Sequence, residues 1–267
     1  MAPFTDNAVV LTGASSGIGR ELALQLAEQG ARLTLAARRR DRLEQVAEEC
    51  RRRGGRAIAI ATDVGREEAC ASLIAGAVAE HGRLDTLVNN AGRTMWSLFE
   101  DLETLRPLEE IMQVNYFGSV YCTYHALPHL KRSRGRLVGV SSLTGKTGVP
   151  TRSGYAASKH AMAGFFDTLR IELAGSGVTV TMAYPDFVAT ETRQRALGAD
   201  GRPIGESPVR EGEVMTAEEC ARQILRAAAR RRRELIMSAR GRVGMWLKLV
   251  APGLIDRIAR RAIDRGR

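Results

Sequence analysis

The sequence predicts an α/β fold, a doubly wound parallel sheet with helices on both faces, in a single domain that carries a C-terminal extension. Two observations predict it. Short apolar runs alternate with segments of helical periodicity from the first residues to about position 238, and strands separated by helices form parallel sheets through crossovers. The residues unusual for plain loops (clustered glycines, serines and asparagines) fall just after the strands, where ligands of such sheets bind. A chain of 267 residues, 44% hydrophobic, is long enough to bury a large core as one domain.

The elements follow in order. Ala8–Thr12 is a short apolar run and the first strand. Gly17–Gln29 is helical through Ile18, Leu22 and Leu26, with Gly30 just past its end, where a left-handed backbone is common. Arg32–Ala37 is a strand, Asp41–Arg53 a helix stopped by Gly54-Gly55, and Ala57–Ala61 a strand. Glu67–His81 is a helix and Leu84–Val88 a strand. One long helix is expected from about Leu108 to Lys131, then a strand at Arg136–Ser141, a helix at Gly154–Ala174 and a strand at Val178–Ala183. Gln194–Val214, rich in Gly, Pro and charge, reads as a flexible lid. Thr216–Arg230 opens with Thr216-x-x-Glu219, a capping-box pattern, and Glu234–Ser238 is a last short strand. The division falls at 239: residues 1–239 form the sheet domain, and residues 240–267 a basic amphipathic extension.

Charge is concentrated toward the C-terminus. The net charge is +10, and the segment from Arg226 to Arg267, with thirteen Lys/Arg and three Asp/Glu, carries all of it. The basicity therefore belongs to a C-terminal segment rather than to the main domain, and without aromatic interleaving or a recognition motif it gives no reason to expect a nucleic-acid partner. Met245–Val250 is apolar with one cation and a tryptophan, and Pro252-Gly253 breaks the chain. Leu254, Ile255, Ile258, Ala259, Ala262 and Ile263 then share a helical face, with Arg257, Arg260, Arg261 and Arg265 away from it. Two placements are open to this helix: an anionic membrane surface, or packing on its own domain or a neighbouring subunit. Four dispersed cysteines without a CxxC pair suit reduced thiols, and four scattered histidines offer no metal-ligand spacing, so no metal is expected. Met1–Asn7 lacks a signal-peptide layout, and no run approaches the ~20 apolar residues of a membrane span. The expected location is cytoplasmic, with peripheral membrane contact in the case that the tail takes the first of its two placements.

The candidate site begins after the first strand. Gly13, Gly17 and Gly19 in Thr12-Gly13-Ala14-Ser15-Ser16-Gly17-Ile18-Gly19 are spaced for a tight turn that lets backbone approach a pyrophosphate. The helix that follows offers free N–H groups and the positive end of its dipole, which makes Gly13, Ser15, Ser16, Gly17, Ile18 and Gly19 cofactor candidates. The second strand ends in Arg38-Arg39-Arg40 with no acid before Asp41. A guanidinium there suits the 2′-phosphate of NADP(H), where NAD sites place an acid. Asp63-Val64 and Asn89-Asn90-Ala91-Gly92 close the next two strands, where adenine and ribose contacts belong. Tyr155 and Lys159 lie four apart on one helical face. A nearby ammonium favours the phenolate and would lower a tyrosine pKa of ordinarily about 10. Ser141 or Ser142 offers a hydroxyl to a substrate oxygen.

Taken together, Thr12–Gly19, Asn89–Gly92, Asn115, Ser142 and Tyr155-x-x-x-Lys159 resemble the short-chain dehydrogenase/reductase family in order and spacing, from about Ala8 to Thr192. The resemblance implies a Rossmann-like sheet of about seven strands in one domain. It implies a catalytic tetrad of Asn115, Ser142, Tyr155 and Lys159. Tyr155 would exchange a proton with the substrate oxygen, Lys159 would bind the nicotinamide ribose, and Asn115 would hold a relay water. Arg38 matches the position that marks NADP preference. Asn89, Ala91, Gly92, Asp63 and Val64 would line the cofactor, and Pro185, Val188 and Thr190 would contact its carboxamide. The implied activity is an NADPH-dependent carbonyl reductase or the reverse alcohol dehydrogenase, in a dimer or tetramer. The second reading is a catalytically idle NADP-binding sensor or scaffold, tethered by its basic tail to a membrane or partner; the intact tetrad favours the enzyme. One departure stands out. Pro185 is followed by Asp186 where the family usually has glycine, and this acid either reshapes the substrate side or caps the next helix. Substrate contacts are expected from Arg93–Phe99, Leu143–Arg152 and the loop after Thr190, with Met95, Trp96, Leu143 and Val149 making an apolar pocket.

Overall fold

Seven strands form one parallel sheet: β1 (Ala8–Thr12), β2 (Arg32–Ala37), β3 (Arg56–Ala61), β4 (Thr86–Asn89), β5 (Arg136–Val140), β6 (Thr179–Tyr184) and β7 (Glu234–Ile236). Their order in the computed structural model, which describes residues 2–191, 194–206 and 214–264, is β3-β2-β1-β4-β5-β6-β7. The side chains of successive residues point to opposite faces, so each strand feeds two apolar layers. Val9 and Leu11 of β1 enter the layer under helices α1 (Gly17–Glu28), α2 (Arg40–Arg52) and α7 (Ala217–Ala229), packing with Leu22, Leu43 and Ile224. Val10 enters the opposite layer under α3 (Glu67–His81), α5 (Gly118–Ser133) and α6 (Ser153–Glu172), with Leu73, Cys122 and Phe166. Burial on both faces is why the strands read as continuous apolar runs.

The caps follow the sequence. Gly30 is left-handed at φ +76°; its N–H donates to Ala27 at 2.8 Å and that of Ala31 to Leu26 at 3.1 Å, a Schellman closure of α1. Thr216 accepts from the Glu219 amide at 3.1 Å and starts α7.

Three expectations change. The single helix expected from Leu108 to Lys131 is broken into α4 (Arg106–Met112), a π-helical turn (Gln113–Phe117) and α5. A π turn inserts a residue into the ladder and re-aims the side chains around it, here Asn115. The first half of the expected flexible lid is seated: Leu197 is buried against Met95 and Ile111, its N–H donates to Thr94 at 2.9 Å, and its carbonyl accepts from Trp96 at 2.8 Å. The remainder, residues 207–213, lies outside the described residues. In the tail, Ala239–Val250 is a helix, α8, that the sequence reading left unassigned; Pro252 then opens α9 (Pro252–Asp264) at its first position, where its missing N–H is harmless. The two helices pack as a hairpin. The side chains of Ala262 and Ile263, and Arg265, lie outside the described residues.

Candidate active site

β1 pairs with β2 on one side and β4 on the other, so the connections leave the carboxyl end of β1 in opposite directions and a crevice opens there. The turn after β1 is shaped by its glycines. Gly13 and Gly17 have φ of +67° and +54°, and a Cβ on Gly13 would lie 2.8 Å from the Ala91 Cα. This close approach is stitched by Thr12, whose Oγ1 accepts from the Asn90 and Ala91 amides at 3.0 Å each, and by Asn90 Nδ2, which donates to the Thr12 carbonyl at 2.9 Å. The turn and the Asn89–Gly92 segment are therefore one rigid rim. Ser16 makes no side-chain cap to α1, and no acid stands in the first turn, so the orphan N–H groups there are available to an anion.

A cavity of about 820 Å³ runs from this rim across the strand ends. It gathers Gly13, Ser15, Ser16, Ile18, Gly19, Arg38, Asp63, Val64, Ala91 and Gly92 with Ser142, Tyr155, Lys159, Pro185, Val188 and Thr190. Three expected residues stand behind its wall. Gly17 packs on Thr190, where a Cβ would meet Cγ2 at 3.1 Å. Asn89 turns away and donates to Thr123 Oγ1 at 3.0 Å. Asn115 is wholly buried; its Oδ1 accepts from the Arg93 amide at 2.7 Å, and its Nδ2 donates to the Arg93 carbonyl and to Ser158 Oγ, both at 2.9 Å. Its side chain thus clamps the segment that follows Gly92.

At the far end of β2, Arg39 joins Arg38 in the wall. Burial, then the positive charges of Arg195, Arg42 and Arg38, hold the Arg39 guanidinium below its ordinary pKa, with Glu191 opposing. Arg195, from beyond β6, donates to Ser16 Oγ at 3.4 Å and pairs with Glu191, which also takes Arg42 at 3.1 Å. Three guanidiniums, those of Arg38, Arg39 and Arg195, line one end of the cavity and suit a multiply charged anion. Sequence reading found Arg38; Arg195 was hidden because it lies 157 residues further along the chain and no local pattern marks it.

The candidate reactive group sits where β5 meets α6. Ser142 follows β5, bonds Thr144 through its hydroxyl, and lines the same cavity as the Tyr155 phenol. Lys159 lies on the next turn of α6, buried, with Nζ donating to the Val140 carbonyl at 2.9 Å. Burial pushes its ammonium down to about 8. Both Lys159 Nζ and Arg152 Cζ lie 5.9 Å from the Tyr155 ring centroid. The expected lowering of the tyrosine pKa by Lys159 does not prevail: burial raises it, and the opposing influences are the Arg152 charge and the Ser142 hydrogen bond. Arg152, expected only as the end of a substrate-side segment, is buried, lies 4.5 Å from the Trp96 ring centroid, and donates to Thr94 Oγ1 at 3.1 Å.

On the substrate side, Leu143 and Val149 line the cavity as expected, whereas Met95 packs under the loop with Leu197, and Trp96 lies against Arg152. In their place Met245, Leu247, Ile255 and Ile258 of the tail hairpin complete the wall. Asp186 caps no helix; its carboxylate accepts from Ser238 and Arg240 at the start of that hairpin.

A doubly wound sheet with a glycine turn at its switch point, and a serine, tyrosine and lysine beside it, defines the class of single-domain dinucleotide-dependent oxidoreductases. The chain belongs to the short-chain dehydrogenase family, whose model matches residues 7–199. It is 38% identical over 248 residues to 11-beta-hydroxysteroid dehydrogenase-like 4A of Arabidopsis thaliana, covering 92% of this chain and 81% of that one. It is 39% identical over 258 residues to 11-beta-hydroxysteroid dehydrogenase A of Sesamum indicum, covering 94% and 74%. Over 255 residues it is 37% identical to 11-beta-hydroxysteroid dehydrogenase of Pinus massoniana, covering 93% and 71%. The family uses a nicotinamide cofactor and acts on small molecules.

Proposed function

We propose that this protein is an NADP(H)-dependent oxidoreductase that interconverts a carbonyl and a secondary alcohol on an apolar molecule, with Tyr155 as general acid and base. The observation that carries the reading is the placement of Tyr155 with Ser142 and Lys159 in a cavity continuous with the glycine turn and the arginine cluster. The residues present fit the cofactor: a close glycine backbone and uncapped helix end for a pyrophosphate, and Arg38 and Arg39 for a 2′-phosphate. Asp63, Val64, Ala91 and Gly92 would hold the adenosine side, and Pro185, Val188 and Thr190 the nicotinamide side. When bound, the cofactor supplies or accepts the hydride.

The chain's own part is to place and charge the substrate oxygen. Ser142 donates to it; Tyr155 delivers a proton in reduction and removes one in oxidation. Arg152 and Lys159, each 5.9 Å from the Tyr155 ring centroid, stabilise the phenolate left behind. Asn115 keeps Gly92 and Arg93 beside Lys159, where a Cβ on Gly92 would be 3.3 Å from Asn115 Oδ1 and 3.7 Å from Lys159 Nζ. The apolar wall of Leu143, Val149 and the tail hairpin favours a lipophilic substrate, in keeping with relatives named as hydroxysteroid dehydrogenases.

Two associations belong to the same reading. Tyr124 on α5 and Ile171 on α6 are largely exposed apolar side chains, which supports a homo-oligomer formed through these long helices. Exposed Val243, Trp246, Leu249 and Val250, on a helix bearing Arg242 and Lys248, support peripheral contact with an anionic membrane.

A panel of ketones and alcohols, followed by nicotinamide absorbance with both cofactors, tests the activity. Turnover is expected with a marked preference for NADP(H). Tyr155→Phe should bind the cofactor with unchanged affinity and lose at least ~100-fold in turnover. Tight cofactor binding with no turnover of any compound would favour the sensor instead.

A further inference from the structure

The tail hairpin closes the substrate end of the cavity, yet no side chain of α8 is buried. Apolar packing therefore gives it little hold on the domain, and polar contacts must supply much of the fastening. Asp186, in the loop after β6, is the centre of these. Its Oδ2 accepts from Ser238 Oγ at 2.9 Å and from Arg240 Nε at 2.7 Å, while its Oδ1 accepts from the Phe187 amide at 2.9 Å. The carboxylate is only 14% exposed. Burial would raise its pKa, but Arg240, Ser238 and the Phe187 amide outweigh that and keep it below the ordinary range.

The two partners are well placed to control α8. Ser238 is its N-cap and accepts from the Gly241 amide at 3.0 Å; Arg240 lies in its first turn. Gly241 then lets the helix lie against the segment after Ser142, since a Cβ there would come 2.9 Å from Leu143 Cδ1. Seven residues later, about two turns on, Lys248 Nζ donates to the Lys146 carbonyl at 2.7 Å. The hairpin is thus fixed at one end to the loop that carries Pro185 and Val188, and at the other to the loop that carries Leu143.

We propose that Asp186 is the latch of this wall, and that the latched hairpin makes the enzyme selective for elongated apolar carbonyl or alcohol substrates. This rests on the activity proposed above. A small ketone held at Ser142 and Tyr155 reaches Leu143 but not Met245 or Ile255. A longer apolar molecule gains from those contacts only while the hairpin is held in place. Asp186 touches no reacting atom and acts as a positioning residue.

Hydrogen exchange on the full-length chain tests the latch without turnover. In Asp186→Gly and in Arg240→Met, amides of residues 239–250 should exchange at least ~10-fold faster, with those of α6 unchanged. In the unmodified chain with NADPH, 2-undecanone should slow exchange in the hairpin, and cyclohexanone should not. In Asp186→Gly, the ratio of kcat/KM for 2-undecanone to that for cyclohexanone should fall at least ~5-fold, the scale of a few lost apolar contacts. Unaltered exchange in both variants overturns the latch. Faster exchange with equal protection by the two ketones overturns the selectivity. Absence of turnover on both ketones counts against the activity, while the exchange measurements still decide the latch and the binding preference.

Discussion

Lys159 shows how a single residue is set by its surroundings. Its position was legible, because a four-residue spacing on a helix puts it on the face of Tyr155. Its burial, and the resulting descent of its pKa to about 8, were not, since both depend on β5 and Met162 closing around the ammonium. The consequence for stability has a definite sign. Between about pH 8 and its unfolded value near 10.4, the unfolded chain holds a proton on this lysine that the folded chain has released, so stability rises with pH through that window. Below it, folding carries the cost of burying a charge. Lys159→Met, which keeps an apolar stem of similar length, is therefore expected to melt at or above the parent temperature at pH 7 without cofactor. Its advantage should shrink as pH rises from 8 to 10, although it is inactive. An advantage that grows over that range in calorimetry would show that the ammonium is stabilised by its site. The same distinction separates the other site residues. Ser142 and Tyr155 were visible as local motifs, whereas Arg152 and Asp186 take their meaning from Thr94 and Arg240, 58 and 54 residues away.

At the scale of elements, the sheet was readable almost strand for strand, because burial on both faces writes each strand as an apolar run. Two elements were not. The π turn at Gln113–Phe117 keeps ordinary helical composition, and what selects it is tertiary: Asn115 must reach Arg93 and Ser158. Helix α8 was obscured by Gly241 and Gly244, which weaken helical propensity but allow close packing on Leu143 and near Ile255. The junction of β2 with α2 was legible in chemistry, through Arg38-Arg39-Arg40, and the structure adds Arg42 and Arg195 to the same end of the cavity. If these cations read a 2′-phosphate, Arg38→Ala should raise the KM for NADPH by about tenfold, the weight of one charge-assisted hydrogen bond, and leave that for NADH nearly unchanged. Arg39 and Arg195 remain to hold part of the affinity, so the loss should be partial. Equal effects on the two cofactors, or a parent preference for NADH, would remove Arg38 from that role.

For the molecule as a whole, the decisive asymmetry is in charge: the first 225 residues are neutral overall, and the segment from Arg226 to Arg267 carries the entire excess of +10. The hairpin turns Ile255 and Ala259 toward the cavity and leaves Trp246, Leu249 and Val250 at least 75% exposed on its other side. Among the described residues, no helix is long and apolar enough to cross a membrane. An aromatic and aliphatic face framed by arginines would gain from headgroup burial and from roughly 1 kcal/mol per cation near an anionic leaflet, a term that salt screens. Such a contact would place the mouth of the cavity at the source of a lipophilic substrate. Flotation with vesicles containing phosphatidylserine should carry the full-length protein upward, less so as salt is raised, and hardly at all with neutral phosphatidylcholine alone. Trp246→Ser combined with Leu249→Ser should stay at the bottom of the gradient while keeping its turnover of a soluble ketone, because neither side chain lines the cavity. Equal flotation of parent and variant would instead assign the exposed face to packing against another protein surface, with the basic charge as its solvated rim.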